Sequence, residues 1–299
     1  MSSVEVIEVG PRDGLQNQAA TLSTADKIHL IEQLIRAGAR RIEVASFVNP
    51  RRVPQMADAE AVLAGLKLDS DVTTIGLVLN ATGLSRALQT NVSEIGVVAV
   101  ATDAFGLRNQ KQTADQSAQM AVDVIRRAKA AGRRVQVTLA VSFGCPFEGE
   151  VPTERVVSMC RQIAAAEPHE IALADTVGVA VPAQVTNVVA AVKSAVPGMP
   201  LRCHFHNTRN TGIANAWAAF EAGVTRLDAS IGGIGGCPFA PKATGNIATE
   251  DLVYMLDRSA VIHGFDGVAL AQMSTWLARV LGLAELPAMV SRAGRFPPA

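Results

Sequence analysis

The sequence predicts an α/β protein built as a closed (β/α)8 barrel, also called a TIM barrel, in a single domain. Eight short runs rich in β-branched residues alternate with longer amphipathic segments along the 299 residues. The strand runs are apolar at successive positions, which is typical of a parallel sheet covered by helices. A doubly wound open sheet is the alternative, but its first strand usually leads into a glycine-rich dinucleotide loop. Here GPRDG follows instead, and eight strand–helix units favour the closed barrel.

Strands are predicted from β-branched runs and helices from apolar residues spaced three and four apart. In the first helix, for example, Ile28, Ile31, Leu34 and Ile35 form one apolar stripe. The predicted strands are 4–10, 41–47, 72–79, 94–101, 134–143, 170–176, 201–206 and 226–231. The helices that follow are predicted near 24–37, 55–66, 82–90, 115–131, 153–166, 182–195 and 211–222, and from Thr249 onward. The barrel domain then spans 1–284 with an extra helix near 267–283, and we expect 285–299 to be a flexible tail.

Composition excludes several classes of function. Twenty-seven basic residues balance twenty-seven acidic ones, and no basic stripe interleaved with aromatic residues appears, so we expect no nucleic-acid partner. No apolar run approaches the ~20 residues of a membrane span, and the N-terminal segment has no secretory pattern. The four cysteines lack CxxC spacing, which fits a reducing compartment. We therefore expect a cytoplasmic globular protein without a membrane partner.

Two short motifs stand at predicted strand ends, where the loops of a barrel carry its chemistry. The first strand ends in Arg12-Asp13, which alone could be a surface ion pair. The seventh ends in His204-Phe205-His206, and residues two apart on a strand point to the same side. A lone histidine is more often a satisfied core residue, whereas two at this spacing indicate a metal site.

Such a site needs oxygen ligands, and acidic residues at other strand ends offer them. Asp13 ends the first strand and Asp175 the sixth, while Glu43 lies among β-branched residues of the second. A carboxylate there is costly unless paired, so we expect Glu43 to face inward beside Arg12 or another cation. Carboxylates with two imidazoles and an amide or water suit Mg²⁺ or Mn²⁺, with Zn²⁺ or Co²⁺ as substitutes.

A glycine-rich segment follows the eighth strand, from Gly232 to Asn246. Many glycines are costly in a structural loop, but a mobile lid or a close approach of backbone to ligand needs them. Cys237 in this loop is a candidate for proton transfer, and Asn246 could supply a side-chain carbonyl to the cation. A phosphate loop is excluded because no Gly-Lys-Ser/Thr follows.

Together these motifs resemble the 3-hydroxy-3-methylglutaryl-CoA lyase family of the metallolyase barrels, from about Val4 to Leu256. The motifs are GPRDGLQN (10–17), IEVASFVNPRRVPQM (42–56), SFGCPFEG (142–149), ALADTVGVAVP (172–182), HFHNT (204–208) and GGIGGCPFAPKATGNIATEDLVYML (232–256). The GxGGCP pattern in the last motif is specific to the lyases. RDG and HxH are shared with isopropylmalate and homocitrate synthases and support the superfamily alone.

The resemblance implies a role for each motif residue. Asp13, His204, His206 and Asn246 would bind the divalent cation, Mg²⁺ or Mn²⁺. Arg12 would stabilise enolate charge and Cys237 would be the catalytic thiol. Glu43 and Asp175 would be acidic residues near the reacting hydroxyl, with Asp175 the simplest base. Arg12, Thr176 and Arg209 would contact the acyl-CoA substrate, and a homo-oligomer, dimer or larger, is expected.

The implied reaction is cleavage of 3-hydroxy-3-methylglutaryl-CoA to acetyl-CoA and acetoacetate, as in leucine degradation. Three departures from the best-known members bear on acyl specificity: Asn207-Thr208-Arg209-Asn210 after His206, Gln18 after QN, and Lys242 in the signature loop. A lyase for a longer or different 3-hydroxy-3-alkylglutaryl-CoA therefore stays open. An acyl-CoA condensing synthase and a non-enzymatic metal- or CoA-binding barrel are further alternatives. The first is disfavoured by GGCP, and the second by retention of Arg12, Asp13 and Cys237.

Overall fold

The computed structural model, which describes residues 2–236, 245–294 and 296, contains a closed barrel of eight parallel strands. The barrel strands are β1 (Glu5–Glu8), β2 (Arg41–Ser46), β3 (Thr73–Val78), β4 (Glu94–Val100), β5 (Arg134–Ala140), β8 (Glu170–Asp175), β9 (Leu201–Phe205) and β10 (Arg226–Ala229). The labels β6 and β7 belong to a small hairpin outside the barrel. The barrel strands follow one another round the barrel in this order, and β10 closes on β1. The predicted TIM barrel is confirmed, with every predicted strand in place.

A ring of helices covers the outside of the barrel. The first helix after each barrel strand is α1 (Thr24–Arg36), α2 (Ala59–Gly65), α3 (Ala81–Ala87), α4 (Asp103–Asn109), α6 (Thr153–Ala164), α7 (Pro182–Ala195), α8 (Gly212–Glu221) and α9 (Thr249–Arg258). After α4, the long helix α5 (Ala114–Ala130) packs on β4 and β5. A capping box formed by Thr113 and Gln116 starts α5, and Gly132, at φ 73°, follows its end.

Three elements escape the periodicity of the sequence. The short helix α4 and a two-residue hairpin, β6 (Gly144–Cys145) with β7 (Gly149–Glu150), lie in loops at the barrel mouth. The third, α11 (Met289–Ala293), lies in the segment predicted to be a tail. Each is too short for an apolar pattern to develop, so tertiary contacts decide its conformation.

The extra C-terminal helix is confirmed as α10 (Gly267–Val280), which packs against α1 and α9. Beyond it, Leu286 and Ala288 are buried, and the Ala288 N–H donates to the Gly232 carbonyl at 3.0 Å. The chain after residue 284 thus contacts the start of the glycine-rich segment, while the domain boundary stays a prediction. Across the described ranges, no helix is both long and apolar enough to cross a membrane.

The barrel interior near the amino ends of the strands contains paired charges. Arg41 of β2 is buried between Glu94 of β4 and Glu170 of β8; its Nη2 lies 2.7 Å from Glu170 Oε1. Arg202 of β9 extends the pairing, with Nε 3.0 Å from Glu170 Oε1. Both carboxylates are fully buried. Because buried charges are tolerated only when they are matched, these pairs fix which strands face one another.

We expect Arg41→Met to destabilise the fold by about 3–5 kcal/mol, the range for removing one partner of a buried ion pair. Glu94 would then keep only Arg134, whose nearest nitrogen is 3.8 Å away. Urea unfolding measures the change in the free energy of unfolding. The matched control is Arg40→Met, because the pair between Arg40 and Asp71 is more than half exposed and should be worth less than about 1 kcal/mol. Equal losses in the two variants would contradict a stabilising role for the buried pair.

Candidate active site

A cavity of about 240 Å³ opens at the carboxyl ends of the barrel strands. Its lining contains residues from all eight barrel strands or from the loops that follow them. The polar lining residues include Arg12, Asp13, Glu43, Thr138, Thr176, Arg202, His204, His206 and Asp228. Most of the residues predicted from separate motifs therefore meet in one place, as the closed barrel requires.

A π-helical turn, Gly10–Gly14, carries Arg12 and Asp13 into this cavity. The N–H groups of residues 12, 13 and 14 all donate to the carbonyl of Val9, at 3.2, 2.7 and 3.2 Å. A Cβ at Gly10 would lie 2.6 Å from Glu8 Oε1, and one at Gly14 would lie 2.6 Å from the Ile234 side chain. The turn can pack this tightly because glycine stands at both ends of it.

Three predicted ligands converge on one point. Ligand atoms of Asp13, His204 and His206 all lie within 4.8 Å of one another, and all three residues are largely buried. His204 Nε2 is 4.0 Å from Asp13 Oδ2. His204 belongs to β9 and His206 follows it directly, so the two-residue period of the strand turns both rings to the barrel axis. One carboxylate and two imidazoles form a donor set for a divalent cation.

Asn246 completes this cluster through backbone pairing. The Asn207 N–H donates to the Gly245 carbonyl at 2.8 Å and the Ile247 N–H to the Phe205 carbonyl at 3.0 Å, so Asn246 stands beside His206. Its Nδ2 donates to Asp13 Oδ2 at 2.9 Å and to the Ile234 carbonyl at 3.1 Å.

Two buried atoms of the cluster test whether a cation fits. Neither Asn246 Oδ1 nor His206 Nδ1 has a hydrogen-bond partner among the residues that the structure describes. Buried polar atoms normally have partners, and both atom types are ordinary metal ligands. Burial and, to a lesser extent, the neighbouring His204 lower the pKa of His206 to about 3, so the ring is neutral. The four residues together fit a divalent cation.

Arg12 joins two carboxylates at the cavity wall. Its Nη1 lies 2.7 Å from Asp13 Oδ1, and its Nη2 lies 2.5 Å from Glu43 Oε2. Burial alone would lower the pKa of Arg12, but Glu43 and Asp13 raise it above its usual value. Burial would raise the pKa of Asp13, but Arg12 and the two histidines bring it down to about 2. Burial raises the pKa of Glu43 in spite of Arg12. Arg12 therefore stays charged, and Asp13 is an ionised ligand.

A second pair holds His204 in place and is absent from the predicted site. Asp228 of β10 accepts from His204 Nδ1 at 3.1 Å and from Arg202 Nη1 at 2.6 Å. Burial would lower the pKa of His204, but the Asp228 hydrogen bond and charge raise it. With Nδ1 facing Asp228, Nε2 is the atom directed at Asp13, which is the usual support for a metal-bound histidine. Arg202 stands two residues before His204 on the same strand. Residues two apart on a strand face the same side, so this spacing could have predicted Arg202 as part of the site.

Comparison with known proteins agrees with this geometry. The family model described as HMGL-like matches residues 3–277 of the chain. The chain belongs to this family of carbon–carbon lyases. It is 40% identical to (R)-citramalyl-CoA lyase of Chloroflexus aurantiacus, over 98% of the chain and 96% of the relative. It is 38% identical to 3-hydroxy-3-isohexenylglutaryl-CoA/hydroxymethylglutaryl-CoA lyase of Pseudomonas aeruginosa, over 93% of each chain.

Among solved structures, an HMG-CoA lyase of Acinetobacter baumannii in complex with coenzyme A and 3-methylmalate is similar, with a TM-score of 0.95. The two are 39% identical, and the match covers 99% of this chain and 97% of that one. The HMGL-like fold is therefore shared over nearly the whole chain, and the resemblance drawn from the motifs is confirmed.

Two predicted residues of this HMGL-like site, Asp175 and Arg209, lie outside the cavity lining, whereas Thr176 is part of it. Asp175 does not line the cavity; its two oxygens accept from the N–H groups of Val179 and Ala180, each at 3.0 Å. Arg209 is exposed and donates to the Gly178 carbonyl at 2.9 Å, also outside the lining. Thr176 does line the cavity, and its hydroxyl accepts from the Val141 N–H at 2.9 Å. The geometry thus favours loop support for Asp175 and Arg209, and their predicted roles in chemistry and binding are untested.

The glycine-rich segment is anchored at both ends by buried acids that sequence analysis missed. Glu8 accepts from the Ile231 N–H at 2.9 Å and from the Thr249 hydroxyl at 2.6 Å. Glu250 accepts from the Gly232 N–H with both oxygens, at 3.0 and 2.9 Å. Cys237 and Lys242 lie between these anchors in residues 237–244, outside the described residues, so the predicted role of Cys237 stays a prediction.

We expect Asp228→Asn to weaken Mn²⁺ binding about 10–100-fold, the usual effect of losing the partner of a metal-binding histidine. The physical reason is that a neutral amide neither fixes the His204 ring as firmly nor balances Arg202. Isothermal titration with MnCl₂ measures the dissociation constant. Asp257→Asn is the matched control, because Asp257 holds His263 at 2.8 Å on the surface in a similar pair. Equal affinity in the two variants would show that Asp228 does not support a metal ligand.

Glu8→Gln should reduce the loss of stability with rising pH. Burial raises the pKa of Glu8 from 4.5 to about 8. The folded state therefore favours the protonated acid, and stability is lost as the pH rises from about 5 to 8. Glutamine does not ionise, so the variant should gain on the wild type over this interval, by up to a few kcal/mol.

Urea unfolding at pH 5, 6.5 and 8 measures this difference. Glu5→Gln, on the same strand but with a side chain 43% exposed, is the control and should follow the wild type. A gap between Glu8→Gln and the wild type that stays constant with pH would contradict a proton held on Glu8.

Proposed function

We propose that the protein cleaves 3-hydroxy-3-methylglutaryl-CoA to acetyl-CoA and acetoacetate with Mg²⁺ or Mn²⁺ held by Asp13, His204, His206 and Asn246. The observation that supports this proposal most directly is that Arg12, Asp13, His204 and His206 line one cavity at the barrel mouth. We call Asp13, His204 and His206 the cation cluster. The similarity to lyases named for this substrate supports it. The product acetoacetate fits a place in leucine degradation.

The cation, when bound, would act as a Lewis acid and lower the pKa of the C3 hydroxyl of the substrate. A base must then take the hydroxyl proton, and Glu43 is the carboxylate best suited to this task. It lines the cavity, and burial raises its pKa, which strengthens it as a proton acceptor. Asp228 also lines the cavity, but Arg202 lowers the pKa of that carboxyl against the effect of burial. Asp175 is occupied by backbone N–H groups.

After the proton leaves, the C2–C3 bond breaks and its electron pair moves into the thioester enolate of acetyl-CoA. Arg12 lines the cavity next to Asp13 and stays protonated at any working pH, so it would stabilise this enolate. Arg202 also lines the cavity, but it is paired with Glu170 and Asp228. Cys237 would return a proton to C2, a role that rests on the family resemblance. The anchored glycine-rich loop would close over the cavity and exclude water.

Citramalyl-CoA is the second candidate substrate, because a lyase named for it is 40% identical over nearly the whole chain. Both thioesters carry a tertiary hydroxyl and a methyl group on C3, and both release the acetyl-CoA enolate. They differ by one methylene between C3 and the carboxylate. The second product distinguishes them, since citramalyl-CoA gives pyruvate in place of acetoacetate.

The test is product analysis with both thioesters under controlled cation supply. Protein treated with EDTA should be inactive, and Mg²⁺ or Mn²⁺ should restore release of acetyl-CoA and acetoacetate from 3-hydroxy-3-methylglutaryl-CoA. We expect a kcat/KM for this substrate at least about 10-fold above that for citramalyl-CoA, the effect of one misplaced methylene. The opposite order would assign the second function, and activity without a cation would contradict the metal site.

The role of Arg12 is tested by measuring kcat and KM of Arg12→Gln, which leaves every proposed cation ligand intact. Its kcat should fall at least about 10²-fold, as for a lost charge-stabilising donor, with KM little changed. A rise in KM with kcat unchanged would make Arg12 a substrate anchor.

A further inference from the structure

The cavity has two chemically different sides. The charged and metal-ligating residues form one side, contributed by the turn after β1, by β2, by β9 with the residue that follows it, and by β10. The other side lacks charge and is contributed by β3, β4, α4 and the loop after β2. We name this side the apolar wall; it consists of Val48, Val53, Leu77, Leu79, Val98 and Phe105.

The strand order places the apolar wall opposite the cation cluster. In the order β1, β2, β3, β4, β5, β8, β9, β10, four steps separate β3 from β9 and β4 from β10. Leu77 of β3 therefore lies across the barrel from His204 of β9, and Val98 of β4 across from Asp228 of β10. A substrate held through its C3 hydroxyl at the cluster would turn another C3 substituent toward this wall.

Charge decides which substituent goes there. An ionised carboxylate against the apolar wall would lose its hydration without a cationic partner, which is strongly unfavourable. Gln110 also lines the cavity, but its Nε2 already donates to the Val98 carbonyl at 3.2 Å. Its other side-chain polar atom, Oε1, is an acceptor and would not stabilise a carboxylate. An alkyl group, in contrast, is stabilised by each methylene that it buries against the wall. The carboxylate therefore belongs on the charged side and the alkyl group at the wall.

We propose that the apolar wall receives the C3 alkyl group of the substrate, and that Val98 and Leu77 limit that group to a methyl. The inference rests on the proposed function and deepens it by naming the residues that set acyl specificity. Register supports these two positions. Leu77 pairs with Gly96 and Val98 with Thr138, so both belong to the inward-facing layers of the barrel. Gly96 leaves room that Gln136 fills, because a Cβ there would lie 2.8 Å from Gln136 Nε2. Gln136 therefore fills the barrel interior at the level of Leu77 and Gly96, and Val98 lies one layer nearer the barrel mouth.

The experiment compares 3-hydroxy-3-methylglutaryl-CoA with its 3-ethyl homologue in the wild type and in Val98→Ala, with Mn²⁺ present. The wild type should prefer the methyl substrate in kcat/KM by at least about 10-fold. Val98→Ala removes two methyl groups at the wall and should reduce this preference about 10-fold or more. Val98→Leu, which adds one methylene at the wall, should increase the preference instead.

Val97→Ala is the matched control, since Val97 is the fully buried neighbour of Val98 on β4 but does not line the cavity. It should lose stability without a change in the substrate ratio. A ratio within twofold of the wild type in both Val98 variants, or an equal shift in Val97→Ala, would overturn the proposal.

A binding measurement separates this inference from the proposed function. If the wild type cleaves neither thioester, the proposed function fails. The role of the apolar wall is then tested separately by calorimetry. This measures the dissociation constants of 3-hydroxy-3-methylglutarate and 3-ethyl-3-hydroxyglutarate with Mn²⁺-loaded protein. Val98→Ala should raise the affinity for the ethyl acid relative to the methyl acid about 10-fold. An unchanged ratio of the two dissociation constants would overturn the role of the wall.

Discussion

The matching of buried charges inside the closed barrel is the constraint on which the rest of this structure depends. A reaction that forms an enolate needs ionised groups in a place with little water, and each such group is costly when unpaired. The barrel meets this constraint with a continuous series of opposite charges from its base to its mouth. Along the barrel axis the series contains Arg41, Glu170, Arg202, Asp228 and His204, and at the mouth it continues with Asp13, Arg12 and Glu43.

The pairing also sets the protonation state of each group at the mouth. Asp13, between Arg12 and the histidines, keeps its pKa at about 2 and is ready to bind a cation. Burial and His204 lower the pKa of His206 more than the nearby Asp13 raises it, so His206 stays neutral with a lone pair available. Glu43 shares Arg12 with Asp13 and has a raised pKa. One guanidinium thus lies between a carboxylate that is held ionised and a carboxyl whose pKa is raised.

The glycine-rich loop is tied into the same frame. Glu8, at the end of β1, bonds to both the start and the end of that segment and to Gly10 of the turn that carries Arg12. Glu250 bonds to Gly232 and lies within 3.3 Å of the Ser291 hydroxyl of α11. The described residues at both ends of this segment are therefore fixed to the frame that carries Arg12 and Asp13.

The barrel and the shared orientation of His204 and His206 could both be predicted from residue order, because both depend on local pattern. Alternating β-branched and amphipathic segments count eight units, and the two-residue period of a strand places His204 and His206 on one side whatever the neighbours are. The inward Glu43 beside Arg12 followed from the cost of an unpaired carboxylate, and the structure has this pair. The extra helix α10 followed from its apolar spacing.

The partners of the other buried charges depend on the tertiary structure. Asp228 supports His204 because the register of β9 and β10 brings them together, and no pattern within one strand contains that register. Asp175 stands at a strand end like Asp13, yet backbone N–H groups of its own loop take both its oxygens, and loop geometry is not readable from residue type. The same holds for the apolar wall, which exists because closure of the barrel sets β3 and β4 opposite the cation cluster. Sequence patterns report the face of an element, whereas pairing across a barrel depends on how all eight strands close.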